Sequence, residues 1–313
     1  MANFTWNFDA PTGVYKSRTM SAHLYQAAIA DAVFVDHARP VGGFGKKQGE
    51  TVTLKRIKAL TVPGSPVLTE GVRISEDTLT INTVGITVQE IGRAVPYTSL
   101  SEDLGAIDME NAIQAELRRQ MRLSLDGLCA TALKAAYIKY IPVTATSKTI
   151  NTDASLAAAA SPMNTWHLEE IRDYMAGTLF VPKIGDAYIG IFALKSTRGI
   201  KRDPSWEEWH KYTDPQAKWN NEIGRWEDIR IIECNNTTAL SNTKGTGSVL
   251  GEGVVFGEDA VVLAEVITPE LRAGIPADFG RSKAVAWYGV LRFSQVWDTG
   301  NAGEAKTVHV TSS

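Results

Sequence analysis

Histidine and cysteine are the residues most often used to hold a metal or to act as a base or nucleophile, and the sequence contains five histidines and two cysteines. The histidines are His23, His37, His167, His210 and His309. None of them stands at a spacing typical of a metal site or within a nucleophile motif. Cys129 and Cys234 lie far apart and lack the paired spacing of a zinc site or a disulfide framework. The sequence therefore predicts no catalytic residue and no metal site.

Two glycine-rich stretches are the candidates for a phosphate-binding loop. The glycine string at 245–251 has no strand before it, as a dinucleotide-binding fingerprint requires. The stretch at 42–47 ends in two lysines, yet it lacks the Lys-Ser or Lys-Thr pair and the following helix of a phosphate-binding loop. We interpret the first as a flexible loop and the second as a hinge, and we predict no cofactor.

Adjacent carboxylates and clustered tryptophans are the remaining residues that could do chemistry or bind a ligand. The glutamate pairs at 169–170 and 207–208 would point in different directions on a helix, which favours solvated faces over acid–base pairs. The tryptophan-rich stretch at 206–226 could form a carbohydrate or base-stacking platform. A simpler interpretation is that Trp206 and Trp209, three residues apart, form one helix face that anchors a lobe.

Composition and charge favour a globular protein without a basic surface for nucleic acid. Hydrophobic residues make up 44% of the chain and charged residues 21%, close to ordinary soluble domains. A net charge of -3 leaves no excess of basic side chains to neutralise phosphates. The chain is therefore better suited to enclosing a nucleic acid than to binding one tightly. The sequence has no long apolar run and no signal-like N-terminus, so we expect no membrane contact and a reducing cytoplasm.

The first hundred residues predict an arm followed by a long hairpin. Residues 1–42 contain one short helical pattern after Ser21 and too few large apolar side chains for a core. Residues 43–98 hold two β-branched runs, 51–60 and 79–95, separated by a turn region rich in proline and glycine. An isolated hairpin is marginally stable, so it needs a partner surface, either the core of its own subunit or another subunit.

The clearest helix is predicted from about Met109 to Ala136, after a capping-box spacing at Ser99 and Glu102. At about 1.5 Å per residue it would reach roughly 40 Å, which suggests a spine along the body. Its apolar positions are Ile113, Leu117, Met121, Leu125 and Leu128.

Residues 142–249 predict a separate lobe with helices and strands, after which the chain returns to a sheet. The lobe helix would be capped by Asn164 or Thr165. Five later ranges predict strands, and they are 187–192, 229–233, 254–256, 261–267 and 285–296. The fold class we predict is α+β.

The order of these elements resembles the Hong Kong type capsid fold of tailed bacteriophages. Residues 44–52 (FGKKQGETV) and 68–71 (LTEG) resemble the start of the extended loop in the podophage-like branch of major capsid proteins. Residues 223–230 (IGRWEDIR) and 256–260 (FGEDA) resemble the junctions where the axial lobe of that family rejoins its peripheral sheet.

The resemblance implies a division of the chain and a function. It implies an N-terminal arm at 1–42, an extended loop at 43–98, a peripheral domain at 99–141 and 250–313, and an axial domain at 142–249. It further implies a non-enzymatic major capsid protein that assembles as pentamers and hexamers into an icosahedral shell around double-stranded DNA. The charged loop residues expected to contact neighbouring subunits are Lys46, Lys47, Lys55, Arg56, Lys58, Glu70, Arg73 and Glu76.

The implied partners are other copies of the chain, a separate scaffolding protein, a portal and a decoration protein, with assembly in the bacterial cytoplasm and a final place in the virion. Three alternatives stay open at this point. An encapsulin-like nanocompartment shell would share the fold and differ in its cargo, an α+β enzyme would show turnover as a small oligomer, and a binding module would use the tryptophan-rich lobe.

Overall fold

The structure is a computed structural model that describes residues 30–41, 49–57, 60, 66–104, 108–151, 160–210, 222–276, 278–297 and 304–310. The α-helices are α1 (Ser99–Leu104), α2 (Met109–Lys134), α3 (Thr165–Asp173), α4 (Thr197–Lys201) and α5 (Pro204–His210). The strands are β1 (Arg39–Val41), β2 (Thr51–Ile57), β3 (Ile81–Thr87), β4 (Gln89–Thr98), β5 (Ile138–Thr144), β6 (Ser147–Asn151), β7 (Tyr188–Ala193), β8 (Glu222–Trp226), β9 (Ile229–Cys234), β10 (Gly253–Phe256), β11 (Val262–Ala273), β12 (Ser282–Ser294) and β13 (Thr307–Val310).

Among the described residues the strands form three sheets, which confirms the predicted α+β class. The peripheral sheet has the order β1-β11-β12-β4 and is covered on one face by α2. The lobe sheet has the order β6-β5-β13-β10-β7-β9-β8. The third sheet is a ribbon made of β2 and β3 alone.

The second β-branched run, predicted as one hairpin strand, is divided between two sheets. Residues 81–87 pair with β2 in the ribbon, whereas residues 89–98 pair with β12 in the peripheral sheet. Val88 stands between the two strands, and its N–H donates to the Glu50 carbonyl at 3.1 Å. The ribbon is therefore shorter than predicted and continues directly into the peripheral sheet.

The strands after residue 250 are also divided between two sheets. Of the predicted strands, 254–256 lies in the lobe sheet as β10, whereas the two later ones form β11 and β12 of the peripheral sheet. The C-terminal strand β13 lies between β10 and β5, antiparallel to the first and parallel to the second. Both sheets thus use strands from either side of residue 250, and the division into domains stays a prediction.

Helix α2 spans 26 residues, about 39 Å at 1.5 Å per residue, close to the predicted range. Asp108 caps it by accepting the Asn111 N–H at 3.1 Å, so the predicted capping residues Ser99 and Glu102 belong to the separate helix α1. Leu117 is 2% exposed and packs against Val285 and Trp287 of β12.

One predicted core position of α2 is wrong. Leu128 is 42% exposed and lines an open groove of about 480 Å³ between the C-terminal half of α2 and the ends of β4 and β12. Helical spacing places Leu128 on the same side as Leu117, but the groove leaves Leu128 open to solvent. The pattern of a single helix carries no information about the space opposite each side chain.

Asp126 joins two separate parts of the chain to the C-terminal half of α2. Its Oδ1 accepts the N–H groups of Val33 and Phe34 at 2.8 and 2.7 Å, and its Oδ2 accepts the Asn236 amide at 3.0 Å. Phe34 is fully buried beside Cys129. The end of the predicted arm is thereby fixed to the body, while the helical pattern after Ser21 lies mostly outside the described residues.

The lobe core contains a buried polar pair. The Tyr140 hydroxyl lies 2.8 Å from His167 Nδ1, and His167 Nε2 lies 3.0 Å from the Thr144 carbonyl. The carbonyl can only accept, so Nε2 carries the proton and the neutral ring accepts the tyrosine hydroxyl at Nδ1. Burial lowers the pKa of His167 to about 4.

We expect replacement of Leu117 by arginine to abolish soluble folding, because it places a charge against Trp287 at a position that is only 2% exposed. The expected loss is on the order of 3–5 kcal/mol of unfolding free energy. Leu128→Arg makes the same change at an exposed position of the same helix and should shift stability by less than about 1 kcal/mol. Soluble yield and urea denaturation measure both, and wild-type melting of Leu117→Arg would contradict the assignment of this face.

We also expect the subunit to lose stability in mild acid. The pKa of His167 is about 4 in the fold and near 6.5 in the unfolded chain, so the unfolded chain takes up the proton first as pH falls. The contribution is complete above about pH 6.5 and declines towards pH 4, by up to about 3 kcal/mol. Urea denaturation at a series of pH values measures the free energy of unfolding. In the His167→Gln variant this free energy should no longer fall between pH 6.5 and pH 4 on account of the histidine, and the same pH dependence as wild type would contradict the assignment to His167.

Candidate assembly surface

The ribbon is an antiparallel pair whose two ends differ in environment. Its register runs from Thr51 opposite Thr87 to Ile57 opposite Ile81. The end that carries Thr51 and Thr87 adjoins the peripheral sheet, and we call it the root. The other end leads into residues 66–80, which contain no strand or helix and which we call the tip. The pair has no further strand beside it among the described residues.

The root is buried against the peripheral sheet. Ile86 is 2% exposed and packs with Val262 and Ala264 of β11. Val52, opposite Ile86 in the ribbon, is 8% exposed. Burying an isoleucine side chain contributes about 1.5–3 kcal/mol. These contacts fix the direction in which the ribbon leaves the body.

Arg56 fixes the ribbon to the body near the end of β2 that lies farthest from the root. Its Nη1 donates to the Val296 carbonyl at 3.0 Å and lies 3.5 Å from Glu304 Oε2. Both side chains are largely buried, so this ion pair is less screened than a surface pair. It connects β2 to the segment that precedes the last strand.

Beyond the root, the ribbon and tip expose their apolar side chains. Eight of them are between 53% and 80% exposed. This exposed apolar set consists of Ile57, Leu60, Val67, Leu68, Val72, Ile74, Leu79 and Ile81. Single exposed apolar residues are common, but eight of them in one ribbon and its tip favour an interaction surface.

Solved structures resemble this arrangement along nearly the whole chain. The head structure of Helicobacter pylori bacteriophage KHP40 is 14% identical with a TM-score of 0.71, and it covers 99% of this chain and 99% of its own. The cyanophage Pam1 capsid is 16% identical, covers 99% of each chain and has a TM-score of 0.70. The capsid of Ralstonia phage GP4 is 13% identical, with a TM-score of 0.69 over 99% of this chain and 97% of that one.

The chain has the phage capsid fold. No protein-family model and no curated protein matches its sequence. In the terms of this fold the ribbon with its tip is the extended loop, α2 is the spine helix, and the capsid fold predicted from the sequence is confirmed.

The capsid fold places the charged residues predicted for subunit contacts in different environments. Lys55 and Glu70 are exposed, as are Arg73 and Glu76, which form an ion pair with each other. Arg56 contacts its own chain instead of solvent. Lys46, Lys47 and Lys58 lie outside the described residues. Their role in subunit contacts stays a prediction.

Sequence reasoning named the charges of the extended loop and missed its exposed apolar set. A signal was present: apolar residues recur at 67, 68, 72, 74, 79 and 81 in a segment broken by proline and glycine, which cannot form a core of its own. Charged residues in such a loop are expected on any surface, whereas exposed apolar residues need an explanation.

The residues considered for chemistry are used for packing where the structure describes them. The thiols of Cys129 and Cys234 are buried, which raises their pKa values to about 12 and about 11. Trp206 and Trp226 are buried and lie 5.9 Å apart between ring centres, so these two cannot form a stacking platform. In the described part of the chain no group of three His, Cys, Asp or Glu is placed to hold a metal.

Of the helices the structure describes, none is both long enough and apolar enough to cross a membrane.

We expect the root to depend on Ile86. Truncation by Ile86→Ala should lower the free energy of unfolding by about 2–5 kcal/mol, since it opens a cavity against β11. Ile81→Ala removes the same atoms from the same strand at a position that is 55% exposed, and should change stability by less than about 1 kcal/mol. Urea denaturation of the unassembled subunit compares them, and equal losses would contradict the difference between root and tip.

Proposed function

We propose that this chain is the major head protein of a tailed phage, a structural subunit that assembles with other copies into a closed icosahedral shell around double-stranded DNA. The observation that carries the proposal is the exposed apolar set of the extended loop, on a chain with the phage capsid fold.

The loop supports this role because its tip has too little structure of its own to bury its side chains. A lone two-stranded ribbon is marginal in water, and the segment from Val67 to Leu79 adds no second layer to it. The ribbon keeps a defined direction because its root is buried at Val52 and Ile86. A directed apolar protrusion fits a surface on a neighbouring copy.

The proposed assembly rests on many modest contacts. A loop on one copy and its receiving surface on the next make a head-to-tail contact, which closes into a ring when the rotation allows it. We propose that the rings are the pentamers and hexamers of the shell. Each copy contacts several neighbours, so their effects multiply through effective concentration and no single contact must be strong.

The charge of the chain supports enclosure of DNA without sequence-specific binding. A net charge of -3 provides no general attraction to phosphates. The proposal includes a separate scaffolding protein, a portal and a decoration protein as partners, and assembly in the bacterial cytoplasm before the shell becomes part of the virion. In this role the chain carries out no catalysis.

We expect the double substitution Val72→Asp with Ile74→Asp to leave a folded subunit that forms no closed particles. Both side chains are exposed, so melting of the unassembled subunit should stay within about 2 °C of wild type. Each lost apolar contact between copies weakens assembly by about tenfold, and every copy carries both changes. Electron microscopy and light scattering measure particle yield.

The matched control is Ser75→Asp, which adds a negative charge to the same exposed segment without removing an apolar side chain. It should assemble like wild type. Normal particles from the double variant would contradict the proposed role of the loop.

A further inference from the structure

A second apolar protrusion lies at the turn between β11 and β12. Ile275 is 95% exposed and Phe279 is 106% exposed, so no part of the chain that the structure describes covers either side chain. We call these two side chains the knob. Pro276, Asp278 and Gly280 predict a turn here, but no sequence pattern marks its two apolar side chains as exposed. The position of this turn differs from that of the extended loop.

The backbone of the turn holds the knob away from the body. Asp278 and Phe279 have φ values of 51° and 56°, in the left-handed region that bulky residues rarely adopt. The Arg281 N–H donates to the Asp278 carbonyl at 3.0 Å, and the Arg281 carbonyl accepts the Ser99 N–H at 3.0 Å. The turn is thus tied to the start of α1. A polar residue could occupy this turn position as well, so an exposed phenyl ring here needs an explanation.

A cleft of about 340 Å³ lies near the same end of the peripheral sheet, between β4 and the first half of α2. Val95, Ile113 and Leu117 provide its apolar lining, and the polar residues beside them are Glu116 and Gln120. This volume is within the range of about 300–1,000 Å³ found for sites that enclose a small ligand. It suits one or two side chains.

We infer that the knob of one copy binds the cleft of a second copy of this chain. An aromatic side chain seated in an apolar pocket is the usual anchor of a protein interface. Every copy carries both a knob and a cleft, so in a head-to-tail arrangement each copy inserts its knob into one neighbour and receives the knob of another. This inference rests on the proposed shell function, which supplies the many neighbouring copies.

Charge selects this cleft over the larger groove beside Leu128. Arg281, next to the knob, is exposed and lies 3.5 Å from Asp278 of its own turn, and Glu116 at the cleft is exposed and lies 3.6 Å from Arg119. Surface pairs of this kind are weak, so in the contact Arg281 can turn to Glu116 and Asp278 to Arg119. The lining of the larger groove includes Arg292 and no carboxylate, so it offers Arg281 no partner. Opposite charges around an apolar contact fix its register and disfavour the other site.

The size of the knob agrees with a contact that works only within an assembly. Two fully exposed side chains of this kind bury roughly 400 Å², about half of the 800 Å² per partner found in stable pairs. The contact should therefore form in the shell and not hold two free subunits together.

A disulfide trap tests the contact directly. Particles of the Phe279→Cys, Val95→Cys variant should give a ladder of covalently linked copies after oxidation, on a denaturing gel without reductant. The native cysteines are buried and should not react. The control pairs Val95→Cys with Phe180→Cys, another exposed phenylalanine, and should give no ladder. A missing ladder, or the same ladder from both, would overturn the inference.

Assembly measurements separate this inference from the shell function. Phe279→Ser should raise the protein concentration needed for half-maximal assembly by about tenfold, and Phe279→Leu, which keeps the knob apolar, by less than about threefold. Melting of the free subunit should not change in either variant. If wild type and Phe279→Ser assemble equally well, the knob contact is wrong while the shell function stands. If wild type forms no particles, both proposals fail.

Discussion

The structure depends on where its apolar side chains can be buried. A two-stranded ribbon has no second layer of its own, so its apolar side chains are buried only where the ribbon packs on another part of the protein. Ile86 is covered because the ribbon packs on β11 at its root, and Val52 opposite it is buried there as well. Farther out, side chains such as Val72 and Ile74 stay in water. The described residues therefore form a well-packed body with a protrusion that they do not cover. We propose that a second copy supplies the missing layer.

The body is built so that the protrusion has a fixed base. Asp126, in the C-terminal half of α2, holds the backbone at Val33 and Phe34 and the side chain of Asn236. The last strand, β13, closes the lobe sheet between β10 and β5. Segments distant in sequence are thus locked together around one helix. Stiffness of this kind suits a subunit that must repeat the same angles many times, because interfaces that are individually weak act together only when their geometry is shared.

Sequence patterns predicted the elements that depend on local periodicity. The length of α2, the α+β class and the strand positions at β7, β9 and β11 follow from apolar spacing and breakers. The same patterns could not predict that β10 joins the lobe sheet, since strand pairing is settled by contacts far apart in the chain. They also missed the exposure of Leu128 and the roles of Asp126 and Phe279. Whether an apolar residue is core or surface depends on the layer opposite it, which a single helix or turn does not contain.

Hydrogen exchange of the extended loop, compared between free subunits and assembled particles, tests most directly whether neighbouring copies cover it. We predict that amides at 66–81 exchange rapidly in the free subunit and become strongly protected in particles, while those of β7 and β10 are protected in both. Protection of the loop already in the free subunit would show that its own chain covers it. Equal, rapid exchange in subunits and particles would show that no neighbour does, and either result would contradict the proposed role of the loop.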